Sequence, residues 1–599
     1  MYNVNMQFYQ FAKYLEKLEN TPKRLEMTAI LAELIEKLDE KNIDKAIYLS
    51  LGSLKPPFDK AQFNIADKMM IRALQQAYKT SQEKVENMYS KMGDLGNVAL
   101  ELDSTANKED GSILEIYNAL LEITQTSGTG SQDKKINQCV ALYKNLNRLS
   151  AKYVTRIILG TTRLGFTELT ILDALSQFLQ QDKKLKDLIE AKYNMCPDVG
   201  QIAKKIKMHG IDGIDNITME TGIPILAQKP QRLSDPEEIL EKMGGTAWAE
   251  YKLDGTRVQL HMDRNKKPLD IDTTQDGLFE GPKGEIFINT YTRNLEKSTH
   301  QFPEILEAAE TQIDADSIIL DGEAIGYDAK TGDFLSFQEL IKRKRKHGIK
   351  EMAKEIPLKY YVFDILYLNG EPLITKTLRE RRKILERVVK TDGDNIIELS
   401  EYIETQKPEE LLEHFEESKE KHLEGLVIKN PESPYQAGAR SYAWIKLKKS
   451  DTDLLEDDFD CVILGYYYGK GTRSDYSLGA FLAGVYNPEK DQFESLTKVG
   501  AGLKETDLVE LSKILEKQKI SKKPNNVEVK KGLEPDVWAT PKTIVVLKAD
   551  EISKSPSHTA GYALRFPRFM NIRTDKSATE TTSTQEIEQL YNQQKRGYY

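Results

Sequence analysis

The 599-residue sequence predicts a multidomain chain: an all-α region over 1–228, an α+β domain over 229–450 and a β-rich, barrel-type domain over 451–599. Three observations predict it. At roughly 150 residues per domain, the length implies several domains and excludes a lone small module. The apolar period changes along the chain, from helical three- and four-residue steps to short β-type runs from residue 245 or so. The acidic stretch D-T-D-L-L-E-D-D-F-D at 451–460 then separates the mixed region from a tail of short strands.

Each element has its own signal. Met27, Ile30, Leu31, Leu34, Ile35 and Leu38 form one apolar stripe at helical spacing. Polar breaks at 101–111 and 125–133 divide the helical groups. Beyond them come A-W-A-E-Y-K, R-V-Q-L-H-M, S-I-I-L-D-G-E-A-I, Y-Y-V-F-D-I-L-Y and G-L-V-I-K, bounded by Gly, Asp and Asn. Helical stretches near 300–312, 376–390 and 407–420 interleave with these runs, which is an α+β pattern. In the tail, C-V-I-L-G-Y-Y-Y-G, G-A-F-L-A-G-V-Y and T-I-V-V-L-K suit a small barrel.

Composition sets outer limits. Lys and Arg number 85 and Asp and Glu 94, a net charge of −9, which taken alone argues against a non-specific binder of nucleic acid. Cys139, Cys196 and Cys461 lie far apart and cannot build a four-cysteine zinc site or a disulfide framework, as suits a reducing cytoplasm. No apolar run approaches the roughly 18 residues of a membrane span, and the N-terminus lacks a signal-peptide pattern. A cytoplasmic chain with no membrane partner is expected.

The sharpest local feature is Glu250-Tyr251-Lys252-Leu253-Asp254-Gly255-Thr256-Arg257. A lysine at the end of a predicted strand, followed by Asp-Gly, projects its amine at a turn. Lysine near its reference pKa of about 10.4 is protonated and a poor nucleophile, and neighbouring cations or desolvation expose the free amine. On its own, K-x-D-G is equally a solvated lysine in a surface turn.

The wider context decides between them. The segment resembles the adenylation motif of the covalent nucleotidyltransferases: ATP-dependent DNA ligases, RNA ligases and mRNA capping enzymes. Further motifs of that superfamily follow in order. Tyr291-Thr292-Arg293-Asn294, Asp321-Gly322-Glu323, Phe363-Asp364-Ile365-Leu366-Tyr367, Glu424-Gly425-Leu426-Val427-Ile428-Lys429, Trp444-Ile445-Lys446-Leu447-Lys448 and Arg573-Thr574-Asp575-Lys576 are each similar to one of them. Alone, Phe363 would be a core aromatic, Glu323 and Glu424 turn carboxylates, and Lys446 and Lys448 the outward residues of a half-exposed strand. The shared order and the shared chemistry make the set specific.

The resemblance implies roles. Lys252 would be the nucleophile on the ATP α-phosphate. Glu250 would accept from the adenine N6 amine, Phe363 would stack on the purine, and Glu323 would lie near ribose and metal. Arg257, Arg293, Arg440, Lys446 and Lys448 would meet phosphate charge that builds as pyrophosphate leaves. Glu424, a hard oxygen ligand, would hold Mg²⁺ or Mn²⁺. Asp575 and Lys576, on a C-terminal OB-fold, would orient pyrophosphate in the first step only.

Within the superfamily, the long helical region favours ATP-dependent DNA ligases of the archaeal and eukaryotic replicative type. Its R-I-I-L-G-T-T-R-L-G at 156–165 is similar to part of their DNA-binding domain. Gly222-Ile223-Pro224, S-F-Q-E-L-I-K-R-K-R-K (336–346), Y-Q-A-G-A-R (435–440), P-D-V-W (535–538) and L-R-F-P-R-F (564–569) match as well. The chain departs from the pattern at an insert over 268–288, at Thr256 where many relatives carry Glu, and at V-V-L-K (545–548). The implied activity is nick sealing in duplex DNA by a monomer, in replication, repair and recombination. Sliding-clamp binding is implied by family alone, because Q-F-Y-Q-F-A-K-Y fails the clamp-box pattern. A capping-type guanylyltransferase, an RNA ligase and a non-catalytic DNA clamp are the alternatives.

Local charge then explains the acidic total. Residues 335–350 carry +5, 440–449 carry +4 and 562–576 carry +3, against −7 over 398–424 and −6 over 451–460. Each basic block overlaps or adjoins a motif.

Overall fold

The computed structural model describes residues 6–596 apart from 60, 104–109, 180–182, 267–285, 330, 336–339, 341–355, 394, 422, 449–457 and 470–477. The basic run at 336–346, most of the insert at 268–288 and most of the acidic link at 451–460 therefore lie outside the described residues.

Helices from Phe8–Glu19 to Asp212–Asp215 make up the first region. Their ends carry the caps expected of free backbone amides. Ser112 and Glu115 form a reciprocal capping box, and Asp94 accepts from the Asn97 amide. The helices close over a core that includes Phe8, Phe11, Leu34, Leu74, Tyr143 and Ile202.

Two sheets position the middle region. A six-stranded sheet runs Phe287–Thr292, Thr256–Asp263, Ser317–Gly326, Leu358–Leu368 and Glu371–Pro372, with Ile397–Leu399 parallel to Leu358–Leu368. Its register aligns the motifs: Arg257 stands opposite Glu323, Gln259 opposite Asp321, and Asp321 opposite Asp364. A five-stranded sheet places Ala247–Tyr251 between Tyr402–Thr405 and Gly425–Lys429, followed by Arg440–Lys448 and Lys229–Arg232. The predicted helices fall at Pro303–Gln312, Leu378–Val388 and Pro408–Glu420.

Chain contacts divide the molecule into two compact units. The larger comprises 1–231, 242–404 and 429–445, and the smaller 232–241, 405–428 and 446–599. In the larger, the stretch at 221–228 is stitched to the Thr256–Asp263 strand: the Thr221 hydroxyl donates to Asp263, and the Ile225 amide to Gln259 Oε1. The Gly222 amide donates to His261 Nδ1, so that ring carries its proton on Nε2, facing Gln259 Oε1.

The smaller unit is β-rich. Phe459–Tyr467, Ala480–Asn487 and Gln492–Val499 form an antiparallel meander, and Ile544–Lys548 pairs with both Phe459–Tyr467 and Arg568–Arg573. Phe459, Ile463, Phe481, Leu496, Val545 and Leu547 fill its core beside the helix Glu505–Gln518. Asp460, read from the sequence as the end of an acidic link, already belongs to the first of these strands.

Candidate active site

Lys252 directly follows the Ala247–Tyr251 strand and opens the turn into Thr256–Asp263. Gly255 is required there by space: a Cβ at that position would lie 2.4 Å from the Ala324 carbonyl oxygen. The turn is thereby pressed onto the strand that carries Glu323. The Lys252 side chain is half-buried.

Two residues earlier on the same strand, Glu250 points into the protein. Lys429, 1% exposed, donates from Nζ to both Glu250 oxygens at 2.7 Å, and Ser400 Oγ donates to one of them at 3.3 Å. Burial pushes the Glu250 carboxyl up and the Lys429 ammonium down, and their mutual contact opposes both shifts. The double bond at 2.7 Å is the geometry of an ion pair.

Aromatic rings flank this pair. The Lys429 ammonium lies 4.4 Å from the Phe363 ring centroid and 4.6 Å from that of Trp444, and the two rings meet edge-on at 5.8 Å. The Arg257 guanidinium lies 5.4 Å from each ring. Cations over ring faces are held by the quadrupole as well as by their anions. Phe363 is half-buried, which leaves part of its surface for a ligand.

Arg257 is fixed on three sides. Its Nε and NH2 donate to the two Asp321 oxygens at 3.0 and 2.6 Å, and NH1 donates to the Gln228 carbonyl at 2.8 Å. The Tyr435 hydroxyl donates to Asp321 at 2.9 Å, closing the network. Burial works against the guanidinium charge, but Asp321 and Tyr435 more than compensate, so its pKa is raised. Next to Phe363 on the same strand, Asp364 accepts a fully buried bidentate pair from Arg381 at 2.7 and 2.8 Å.

The remaining cations are less committed. Arg293 follows the Phe287–Thr292 strand and is an exposed residue. Partial enclosure first, then the Arg257 and Arg440 charges, lower its pKa, while Glu323 raises it. These four residues therefore share one electrostatic neighbourhood. Arg440 is exposed and donates from NH1 to the Pro230 carbonyl at 3.2 Å.

In the smaller unit, Glu424 precedes the Gly425–Lys429 strand and pairs with Lys448 at 3.0 Å. Gly425 has φ +130°, and a Cβ there would sit 2.2 Å from the Leu447 carbonyl, so only glycine lets these strands meet. Lys446 is half-buried, between Ile445 and Leu447, which are fully inside. Arg573, Thr574 and Asp575 line an open cleft of roughly 430 Å³, the size of a small-ligand pocket.

Lys429, Asp321 and Tyr435 stand inside motifs quoted from the sequence but without a role of their own there, and Gln228 was not singled out. Lys429 and Asp321 had a signal, since each is a charge set directly against an apolar run. Gln228 had none, and the roles of Gln228 and Tyr435 alike arise from contacts across the fold.

Three family models match the chain: the DNA ligase N terminus over residues 7–176, the ATP dependent DNA ligase domain over 283–448 and the ATP dependent DNA ligase C terminal region over 474–576. The middle match begins beyond Lys252 and Arg257, after most of the insert. A probable DNA ligase of Dictyoglomus turgidum is 40% identical, with 99% of this chain and 98% of that protein covered. The DNA ligase of Sulfolobus acidocaldarius is 37% identical, with 98% of each chain covered. Among solved structures, Pmar-Lig_PreS3 shares the fold at a TM-score of 0.55 and 16% identity, over 94% of this chain and 99% of that one. Helical, nucleotidyltransferase and β-rich regions in this order, with full-length relatives at such identity, place the chain in the ATP-dependent DNA ligase family.

Proposed function

We propose that Lys252 is the nucleotidyl carrier through which this ligase uses ATP to seal nicks in duplex DNA. The observation that carries the reading is Lys252 on a turn two residues beyond Glu250, whose pair with Lys429 is flanked by Phe363 and Trp444. Such a site offers a purine an aromatic face and a carboxylate for its exocyclic amine, with the lysine held a fixed distance along the chain.

The chemistry balances in three steps. Lys252 Nζ attacks the ATP α-phosphorus, an N–P bond forms, and pyrophosphate leaves with the electrons of the P–O bond. The starting ammonium sheds two protons in all. The 5′-phosphate of the nick then attacks that phosphorus, the N–P bond breaks, and the lysine regains protons. Finally the 3′-hydroxyl attacks the 5′-phosphorus, loses its proton, and AMP departs. Arg257 acts as a rigid wall, because Asp321 already meets its charge. Arg293 and Arg440 have donors left for phosphate.

Glu424 and Glu323 are the carboxylates assigned to Mg²⁺ or Mn²⁺. Mg²⁺ usually keeps several waters and is bound through one or two carboxylates and substrate phosphates, which is the mode proposed for these two residues. Such a cation would neutralise phosphate charge. In this reading residues 1–228 bind DNA, 229–450 adenylate, and 451–599 form an OB-fold. The protein is a cytoplasmic monomer serving replication, repair, recombination and thereby cell division. No helix among the described residues is long and apolar enough to cross a membrane. Sliding-clamp binding stays within the reading on family grounds.

Incubation with α-labelled ATP and Mg²⁺ tests the core of it. An acid-labile, alkali-stable protein–AMP adduct that discharges on nicked DNA is expected, and Lys252→Ala should take up no label. Label on the Lys252→Ala protein would overturn the assignment.

A further inference from the structure

We infer that Asp460 is a positioning residue for nucleotidyl transfer, holding Arg573 and Lys576 in one fixed geometry. The inference rests on the reading of 573–576 as the segment that orients pyrophosphate in the first step. Asp460 is 6% exposed and sits near the start of the Phe459–Tyr467 strand, with Ile544–Lys548 as its neighbour. That neighbour pairs in turn with Arg568–Arg573, so one intervening strand separates Asp460 from Arg573. The Asp460 backbone is pinned at both ends of its peptide unit: its amide donates to Thr582 Oγ1 at 3.0 Å, and its carbonyl accepts from the Thr582 amide at 2.9 Å.

Onto this anchored carboxylate come two cations. Arg573 NH1 donates to Oδ1 and Oδ2 at 3.1 and 3.0 Å, and Lys576 Nζ donates to Oδ2 at 2.6 Å. Asp575 takes the other side of the guanidinium, accepting from Arg573 Nε at 3.0 Å and NH2 at 3.2 Å. Lys576 spends one of its three donors here and keeps the others. Arg573, Thr574 and Asp575 line the open cleft together with Asp458, Lys548 and Asn571.

The charges decide what Asp460 contributes. Two cations and two carboxylates cancel, so the cluster does not attract polyphosphate through net charge. Its carboxylates give the cations fixed directions, and a polyphosphate meets donors whose orientation is already set. Bulk attraction and positioning therefore predict opposite outcomes for Asp460→Asn, which adds one positive charge. Attraction predicts faster nucleotidyl transfer and positioning predicts slower.

Two rates separate the possibilities: formation of the protein–AMP adduct from α-labelled ATP, and sealing of a nick that already carries a 5′-AMP. Loss of a charge-assisted bond predicts about tenfold slower adduct formation in Asp460→Asn, with pre-adenylated sealing changed by less than about twofold. Asp460→Glu keeps the charge and shifts it by one methylene, so it should recover part of the adduct rate. Adduct formation at or above the unmodified rate overturns the inference, as does an equal fall in both rates. Asp460→Glu carries the same two outcomes if the Asn protein does not fold. Lys576→Ala distinguishes the levels of the reading: if it leaves adduct formation unchanged, the role of 573–576 itself fails. If it slows adduct formation while Asp460→Asn does not, only the positioning role fails.

Discussion

Two charge clusters in this molecule are built in opposite ways. Around Phe363, Glu250 and Lys429, and Asp364 and Arg381, are ion pairs almost wholly removed from water. Around Asp460, Arg573 and Lys576 keep about a third of their side-chain surface exposed. A buried pair cannot let go of its partner without stranding a charge, whereas a half-exposed one trades partners with water at small cost. The difference teaches which of the two clusters is built to be permanent. In the proposed reading the residues around Phe363 form a purine pocket needed at every turnover, which would gain from charges locked in place. In the same reading the segment around Arg573 and Lys576 acts in one step of three, so its cations keep an exposed side for pyrophosphate while Asp460 fixes their direction.

Breaking the buried cluster should have the largest effect. Lys429→Ala removes both short bonds to the buried Glu250 carboxylate and leaves it the longer one from Ser400. Removing one member of a buried pair costs about 3–5 kcal/mol. Urea unfolding should show that loss, and protein–AMP formation should fall with it. Lys429→Met with Glu250→Leu, which removes both charges, should recover much of the stability and none of the adduct. Lys429→Ala at the original stability would mean that the pair is not buried in solution.

A smaller effect comes from His261, fully inside the larger unit. Burial, reinforced by Lys266, lowers its pKa to about 3. The folded ring thus stays neutral where the unfolded one, near 6.5, takes up a proton. Its contribution to stability is present above pH 6.5 and is lost as the pH falls toward 3, at up to about 1.4 kcal/mol per pH unit. Glu19, lowered to about 2 by Lys152, Tyr153 and Arg156 against the effect of burial, adds a loss in the same direction below pH 4.5. Denaturant midpoints between pH 7 and 5 should fall for the unmodified chain and stay flatter for His261→Gln. An equal slope in both would place the titration elsewhere.

How far the sequence foretold these clusters depends on how far apart their members lie. The turn at Lys252 was legible because strand, lysine and Asp-Gly are contiguous. The helical, mixed and β-rich regions were legible because apolar period is a local property. The Glu250–Lys429 pair joins residues 179 positions apart, and the Arg257–Asp321 pair depends on strand register. No local pattern records either. Asp460 shows the reverse error. Its neighbours are acidic, which puts it among the acids of a linker, yet its backbone is paired and its carboxylate is buried against Arg573 and Lys576. Composition sees the charge of a segment and cannot see the side of a strand on which one residue falls.

The smallest change in stability is expected at Phe566, where the exposed side of the comparison can be sharpened. This residue has φ +52° and is 64% exposed, with the Arg565 guanidinium 5.6 Å from its ring. A bulky residue held in the left-handed region stores strain, and a large exposed aromatic gains nothing from burial. Phe566→Ala should therefore shift the unfolding free energy by no more than about 0.5 kcal/mol. An exposed ring beside arginine can stack on a base frayed at a nick, and base–aromatic stacking in single strands is worth about 1–3 kcal/mol by alanine substitution. Fluorescence anisotropy on nicked duplex should show Phe566→Ala binding weakened by that amount, with protein–AMP formation unchanged. Unchanged DNA affinity would remove Phe566 from the contact surface and leave its backbone strain without a function.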